Sequence, residues 1–395
     1  MLNIARRFLA LIVWSAWALA ASGQYMSPTG PDQRVNQSTA FNQYWVRVAA
    51  DPAAQTLGFS FSGGQEVFAR FFDSNGPQTG DIQCNTLHTS GIQDEAEIGW
   101  ATDERFLVAW SERSGADGEE MGIFGRVYDD QGQSLSTTEF QINVEWQASQ
   151  WRPLIAAHPD GGWVVAWSGD WDGDAFFRRV ASDGSFLTGD ISVDTIGNGA
   201  QVDTAPAIAS DGTTLICFVD YSGFGGVGSG TNLWYRLFDA AGNPLWTSES
   251  PLLPSTASVA DQREPRAAAD GLGRFIVVWE DAQADGSSWG VFGRRIGPLG
   301  VPLGPAFSVN TTTSGAQRSP RVAADQSGRQ CTRQDTGSER DVEPEVADPV
   351  GAAVLGQRAD PEPAADLARL AVLRGPFHCA DRSDRRAVEH RYDRQ

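Results

Sequence analysis

Three aspartates, Asp170, Asp172 and Asp174, alternate with Trp171 and Gly173 and form the densest run of carboxylates in the chain. Oxygen-rich loops of this kind hold calcium, a hard cation that prefers carboxylate and carbonyl oxygens. The run lacks the D-x-D-x-D-G register and the distant glutamate of an EF-hand loop, and Asp-Gly pairs also make ordinary solvated turns. Asp117-Gly-Glu-Glu120 and the stretch from Asp281 to Asp285 fall in equivalent loops, which places acidic loops together on one rim. The expectation is therefore no cofactor, with calcium at Asp170, Asp172 and Asp174 as the one metal candidate, weighed against plain turn chemistry.

No other group of residues makes a catalytic constellation. Asp285-Gly-Ser-Ser-Trp289 resembles the Asp-box of sialidase-type propellers but lacks the residue between Asp and Gly. Carboxylate pairs suited to glycoside hydrolysis abound in so acidic a chain, so their presence singles out none. His88, His158, His378 and His390 do not accompany a G-x-S-x-G nucleophile context. Catalytic residues are accordingly expected to be none.

The formal charge of −20 comes without a single lysine, so all 30 basic residues are arginine. Such a surface repels phosphate backbones and anionic membranes, which excludes nucleic-acid partners, and it suits a divalent cation, a polyhydroxyl ligand or a basic protein. Cys84, Cys217, Cys331 and Cys379 have no C-x-x-C spacing, which argues against zinc. Cys217 lies in the apolar run Leu215–Val219 and reads as a buried free thiol, although a bridge to Cys84 stays open. Residues 1–23 have the three parts of a secretory signal: Arg6-Arg7, an apolar run from Phe8 to Ala20 too short to span a bilayer, and small residues at Ala18-Leu-Ala20. The mature protein is expected outside the cell, secreted or at the cell surface, with no membrane insertion.

The elements that must position any site come from a repeat of about 55 residues. Apolar runs end at or near Trp110, Trp167, Val219 and Trp279, with a weaker copy at Leu57–Phe61. Each is followed by an acidic, glycine-rich loop and an aromatic strand containing arginine, as in Ile123-Phe-Gly-Arg-Val-Tyr-Asp129 and Leu233-Trp-Tyr-Arg-Leu-Phe-Asp239. Turn glycines recur at Gly76, Gly132, Gly184, Gly242 and Gly300, and short strands such as Phe140-Gln-Ile-Asn143 and Phe307-Ser-Val-Asn310 follow. The next unit opens at Pro153, Pro206, Pro265 or Pro320 with small residues. Four short strands per period, the second apolar throughout and the third alternating apolar-in with arginine-out, describe a blade that cannot bury both faces alone. The expected fold is all-β: a β-propeller of four-stranded blades, five readable plus an incomplete sixth, unclosed, with the tryptophans packing blades rather than holding ligand.

The unit resembles the Trp-rich "VVW…GxxGRxFD…G…FxVN" repeats of bacterial secreted and surface proteins, over about residues 34–328. The resemblance implies a propeller-like architecture and is nearly silent on activity. Arg34-Val-Asn36 reads as the end of an outer strand with no unit before it, as in propellers whose N-terminal strand completes the last blade. Residues 329–395 lose the pattern, hold no Trp and are dominated by Pro, Glu, Ala, Asp and Arg, so this segment reads as a frameshifted or disordered tail after propeller repeats over 24–328. The expected function is a secreted, monomeric, non-enzymatic module binding a protein or glycan ligand. A propeller glycosidase or lyase acting on extracellular polysaccharide is the alternative, and a structural fragment of a larger surface repeat protein is the third.

Overall fold

The computed structural model describes residues 34–51, 56–116, 118, 121–144, 149–169, 174–195, 199–221, 230–253, 260–282, 286 and 288–324, with the backbone of 330–336 and 378–380. Within these the chain forms six antiparallel sheets in sequence, each a meander of consecutive strands except that, in the first, the outer strand Ile82–Gln83 pairs Glu66–Asp73 past the small hairpin strand between them. The innermost strands are Gln43–Asp51, Gln93–Ala101, Trp151–Ala157, Gln201–Ile208, Gln262–Ala269 and Gln317–Ala324. Five sheets carry the expected second, third and short fourth strands, and the first gains a small hairpin strand at Gly76–Pro77. The sixth has three strands, its second and third drawn from the segment past residue 328, at Gln330–Thr336 and His378–Ala380. Among the described residues no strand pairing joins the first sheet to the sixth, so the sheets are unclosed. The signal segment 1–23 and most of 329–395 lie outside the described residues.

Burial explains the stacking. Second strands such as Trp163–Ser168 and Thr214–Asp220 are buried along their whole length. The apolar clusters they build belong to pairs of blades rather than to single ones. Leu107, Ala109 and Val127 of the second blade pack with Trp163, Val165 and Trp167 of the third, and Val164, Ala166 and Phe177 of the third pack with Ile216, Phe218 and Phe238 of the fourth. Trp110, Trp163, Trp167 and Trp279 are wholly buried. Removing an indole of this kind from water is worth at most about 4–6 kcal/mol. Cys84 and Cys217 are both buried and free, and burial pushes the Cys84 thiol up to about 12.

Two polar devices repeat at the blade junctions. The first corrects the expectation that third-strand arginines face outward. Arg70, Arg178 and Arg236 are almost fully buried. With Arg126 and Arg294 they donate from Nη1 to a backbone carbonyl at the end of the preceding outer strand: Val35 (2.5 Å), Cys84 (3.1 Å), Ile142, Val193 (3.1 Å) and Leu252. An arginine in the third strand thus ties each blade to the one before it. The second device is an amide latch. Asn36, Asn85, Asn143 and Asn310 donate from Nδ2 to Oε1 of Gln43, Gln93, Gln150 and Gln317, the glutamines at the head of the next inner strand, at 2.9–3.2 Å. Val35 and Asn36 hold these same places for the first blade, and Val35 packs on Phe59, Phe61 and Phe72. The N-terminal fragment therefore sits where an outer strand of a preceding blade would end.

The recurring turn glycines all adopt positive φ, from 77° to 121°, which a Cβ disfavours. The inner strands differ from expectation at their start. The four that contain Pro153, Pro206, Pro265 or Pro320 begin before the proline, and a bulge in all six shifts the register, as between Asp94 and Glu97 or between Val202 and Ala205.

Replacing Arg178 by Met removes the donor from the buried carbonyl of Ile142 and from the half-buried carbonyl of Thr188 and is expected to cost about 2–3 kcal/mol in denaturant unfolding. Arg126→Met, at a less buried guanidinium, is expected to cost roughly half as much.

Candidate functional site

The six bulges place one residue of each blade at the same level around the propeller axis: Trp45, Glu95, Arg152, Asp203, Glu264 and Ser319. All six have φ between 50° and 56°, the left-handed region that a non-glycine residue enters only under constraint. Strain of order 1–3 kcal/mol per residue persists only where neighbours hold it, and it clusters at functional sites. Here the hold comes from the adjacent blade. Arg152 N–H donates to Ser111 Oγ (3.0 Å) and to Glu95 Oε2 (2.9 Å). Asp203 N–H donates to Ser168 Oγ (2.9 Å), and Ser319 N–H to Glu280 Oε1 (2.6 Å). Ser111, Ser168 and Glu280 are the residues that follow Trp110, Trp167 and Trp279, so the strand that packs the blade also fixes the next blade's axial residue.

Charge converges at this level. Arg152 bonds Asp203 at 2.5 Å and Glu264 at 3.2 Å through one nitrogen and lies 3.6 Å from Glu95. One step deeper, Arg47 pairs with Glu97 at 2.8 Å and Arg266 with Glu264 at 3.4 Å. The cavity among these groups has only about 30 Å3 of room, enough for water and not for a sugar ring. Its mouth is flanked by aromatics. The Arg152 guanidinium lies over Trp151 at 5.3 Å and Trp45 at 5.8 Å, Arg263 stacks on Trp289 at 3.8 Å, and Tyr44 and Tyr221 are exposed.

The two carboxylates on Arg152 are driven apart in acidity. Burial, then the charge of Glu264, raises Asp203 against the pull of Arg152. Glu264 is also raised by burial, but Arg266, Arg152, Arg321 and Arg263 together outweigh it, and the net direction is down. Asp94, at the rim, is pushed up to about 6 by burial and by Glu95, with Arg113 opposing. The mouth thus holds a carboxyl inclined to keep its proton beside a carboxylate inclined to stay ionised, the arrangement that general acid–base chemistry uses.

Of the expected calcium loop, Asp170 and Asp172 lie outside the described residues. Asp174 directly precedes the strand Ala175–Val180, whose first residue pairs with Ser168, itself the partner of Trp151, so it lies at the same end of the third blade as Arg152 but two strands outward, and its carboxyl shares a hydrogen bond with Asp194. Burial raises both, Asp194 to about 7 with help from the charge of Asp174. His158 is buried against the Arg179 guanidinium at 3.0 Å, and burial and that charge keep its pKa low. Sequence reading passed over all of the axial residues, yet a signal was present: in each of the six units the axial residue lies two places after a glutamine, at Gln43, Gln93, Gln150, Gln201, Gln262 and Gln317.

No family model matches the sequence, and the search of curated proteins gave no match. Solved structures do share the architecture. An ulvan lyase, described as a new family of polysaccharide lyase and bound to a -[GlcA(1-4)Rha3S]- chain, superposes with a TM-score of 0.52 at 9% identity over 78% of this chain and 82% of that one. A second structure of an ulvan lyase gives 0.50 at 8% identity, covering 75% and 82%. An α-L-arabinanase of Penicillium chrysogenum complexed with arabinobiose gives 0.49 at 14% identity, covering 78% and 94%. The likeness to the two ulvan lyases, with the six sheets described above, defines the fold class, an all-β propeller of four-stranded blades. The two ulvan lyases, described as polysaccharide lyases, overturn the expectation of a non-enzymatic binding module in favour of the polysaccharide-acting alternative, which is taken up below as a proposal. Among the described residues no helix is long and apolar enough to cross a membrane.

Arg152→Met leaves Glu95, Asp203 and Glu264 facing one another without their shared cation. The variant is expected to lose about 2 kcal/mol of stability at pH 7, allowing for the guanidinium's partial exposure. The loss should shrink toward pH 4 as Asp203, whose pKa is raised, takes up its proton. Denaturant titrations at the two pH values measure both effects.

Proposed function

We propose that the protein is a secreted enzyme that cleaves polysaccharide by hydrolysis at the mouth of the propeller axis. The observation that carries this reading is the pair Asp203 and Glu264. Both sit on strained bulges and bond a single Arg152 nitrogen, which brings their nearest oxygens within about 6 Å, and their acidities are pushed in opposite directions. Export follows from the signal segment 1–23 and agrees with a polymeric substrate too large for the cavity. The glycan lies across the mouth rather than within it, with sugar rings against the flat faces of Trp45, Trp151 and Trp289.

In this reading the protonated Asp203 donates to the glycosidic oxygen as the bond to the anomeric carbon breaks. The ionised Glu264 faces the positive charge that develops on the ring and takes the proton of the attacking water. Water is consumed, and each half of the chain leaves with a hydroxyl at the cut. Arg152 is a positioning residue that orients both carboxyls and withdraws from Asp203 as the substrate approaches. Glu95, bonded to Ser111 Oγ at 2.7 Å, anchors the Arg152 backbone.

The test is release of reducing ends from a panel of neutral and acidic polysaccharides by the mature full chain. Asp203→Asn and Glu264→Gln are each expected to lower kcat by about 100-fold or more, with unfolding midpoints close to wild type. Activity is expected to decline on the alkaline side as Asp203 loses its proton, later than an ordinary aspartate would. Absence of release from every substrate, or full activity in both variants, overturns the proposal. New chain ends carrying a carbon–carbon double bond would replace hydrolysis by elimination.

A further inference from the structure

We infer that the junction between the third and fourth blades binds a divalent cation of the calcium class, ligated by the carboxylates of Asp174 and Asp194 and the amide oxygen of Gln201. The argument starts from the latch that closes four other junctions. At three of them the asparagine accepts a backbone N–H of its own blade through Oδ1: Asn85 from Val67 (3.0 Å), Asn143 from Ile123 (2.8 Å) and Asn310 from Val291 (2.9 Å). At all four its Nδ2 donates to the glutamine of the next inner strand. The third blade has Asp194 at this position. It still accepts the backbone N–H of Ala175, but it has no amide to offer Gln201.

Gln201 is nevertheless oriented as its counterparts are. Its Nε2 donates to Asp220 Oδ1 at 3.0 Å, just as Gln93 Nε2 donates to Glu112 Oε1 at 2.9 Å. Asp220 and Glu112 hold the same place opposite these glutamines in the strand pairing. The Gln201 Oε1 is thereby turned toward Asp194, as Gln93 Oε1 is toward Asn85. Asp194 Oδ1 and Gln201 Oε1 are both buried with no hydrogen-bond partner, at 5% and 1% residue exposure.

Two more carboxyls crowd the same junction. Asp174 shares its hydrogen bond with Asp194. Glu249 of the fourth blade accepts from Thr195 Oγ1 (2.6 Å) and Thr195 N–H (3.1 Å) through Oε2, while its Oε1 is buried without a partner. Three buried acceptor oxygens at the junction, Asp194 Oδ1, Gln201 Oε1 and Glu249 Oε1, have no donor, which is costly unless something positive enters. One proton serves one pair of oxygens and leaves the others unsatisfied. A hard cation serves several at once and takes water at its remaining positions. The ligand set includes an amide because, among the described residues, no three His, Cys, Asp or Glu side chains converge as a metal-holding group. Glu249 contributes charge beside the ion.

The test uses the mature full chain, freed of metal by chelation and then titrated with calcium chloride, followed by calorimetry and thermal unfolding. Wild type is expected to bind one ion and to gain about 2–5 °C in unfolding midpoint. Asp194→Asn rebuilds the amide latch, so it should be more stable than metal-free wild type and indifferent to calcium. That combination separates a lost ligand from a damaged fold. Asp174→Asn should also lose the response. The inference is overturned if calcium leaves wild type unchanged while acidification alone stabilises it, since a proton then fills the junction. It is equally overturned if Asp194→Asn responds to calcium as wild type does, or if Asp170→Asn or Asp172→Asn abolishes the response while Asp174→Asn and Asp194→Asn keep it.

Discussion

No blade of this protein can bury both faces of its second strand by itself. Strands such as Trp163–Ser168 are apolar and buried on either side, so each sheet becomes stable only against its neighbours. Stacking in register around an axis follows from that constraint, and so do the polar devices at the junctions. A third-strand arginine that reaches a carbonyl of the preceding outer strand, and an asparagine that bridges to the next glutamine, satisfy groups that the stacking itself takes out of water.

The same constraint builds the site. The residue that follows the packing tryptophan holds the backbone N–H of the next blade's axial residue, which keeps that residue in the left-handed region. Packing energy spread over large indole surfaces thereby sustains a local strain that the inner strand alone would relax. The result is a ring of side chains whose chemistry varies freely from blade to blade: Trp, Glu, Arg, Asp, Glu and Ser on one backbone geometry. Repetition supplies the scaffold, and variation at a single register position supplies the side chains of the proposed site. Arg152 is what makes opposed acidities compatible at close range, because its charge is shared among carboxylates that would otherwise repel one another.

Much of the architecture was legible in the sequence because it rests on period and apolar pattern, which local residues carry. The Trp-ended runs, the turn glycines and the docking of Val35 and Asn36 ahead of the first blade all follow from such signals. The site was not legible, for a physical reason. Asp203 and Glu264 are separated by a whole blade in sequence and acquire meaning only once the ring brings them to one guanidinium. The buried role of Arg178 was misread as an outward-facing strand position, since alternation cannot reveal that the solvent side of one blade is the contact side of the next. The glutamine two places before each axial residue did mark the bulges. A lone glutamine at the head of a strand carries no apolar pattern, so it stands out only once the bulges are known.

The proposed catalysis at Asp203 and Glu264 is tested most directly by a crystal structure of the Asp203→Asn variant with an oligosaccharide released from a polysaccharide that the wild-type protein is found to cleave. The expected density spans the axis mouth, with a glycosidic oxygen within about 3 Å of the residue-203 side chain and Glu264 near the adjoining anomeric carbon. An oligosaccharide bound on the outer edges of the blades, with Arg152 still locked to its carboxylates and the mouth empty, would contradict it.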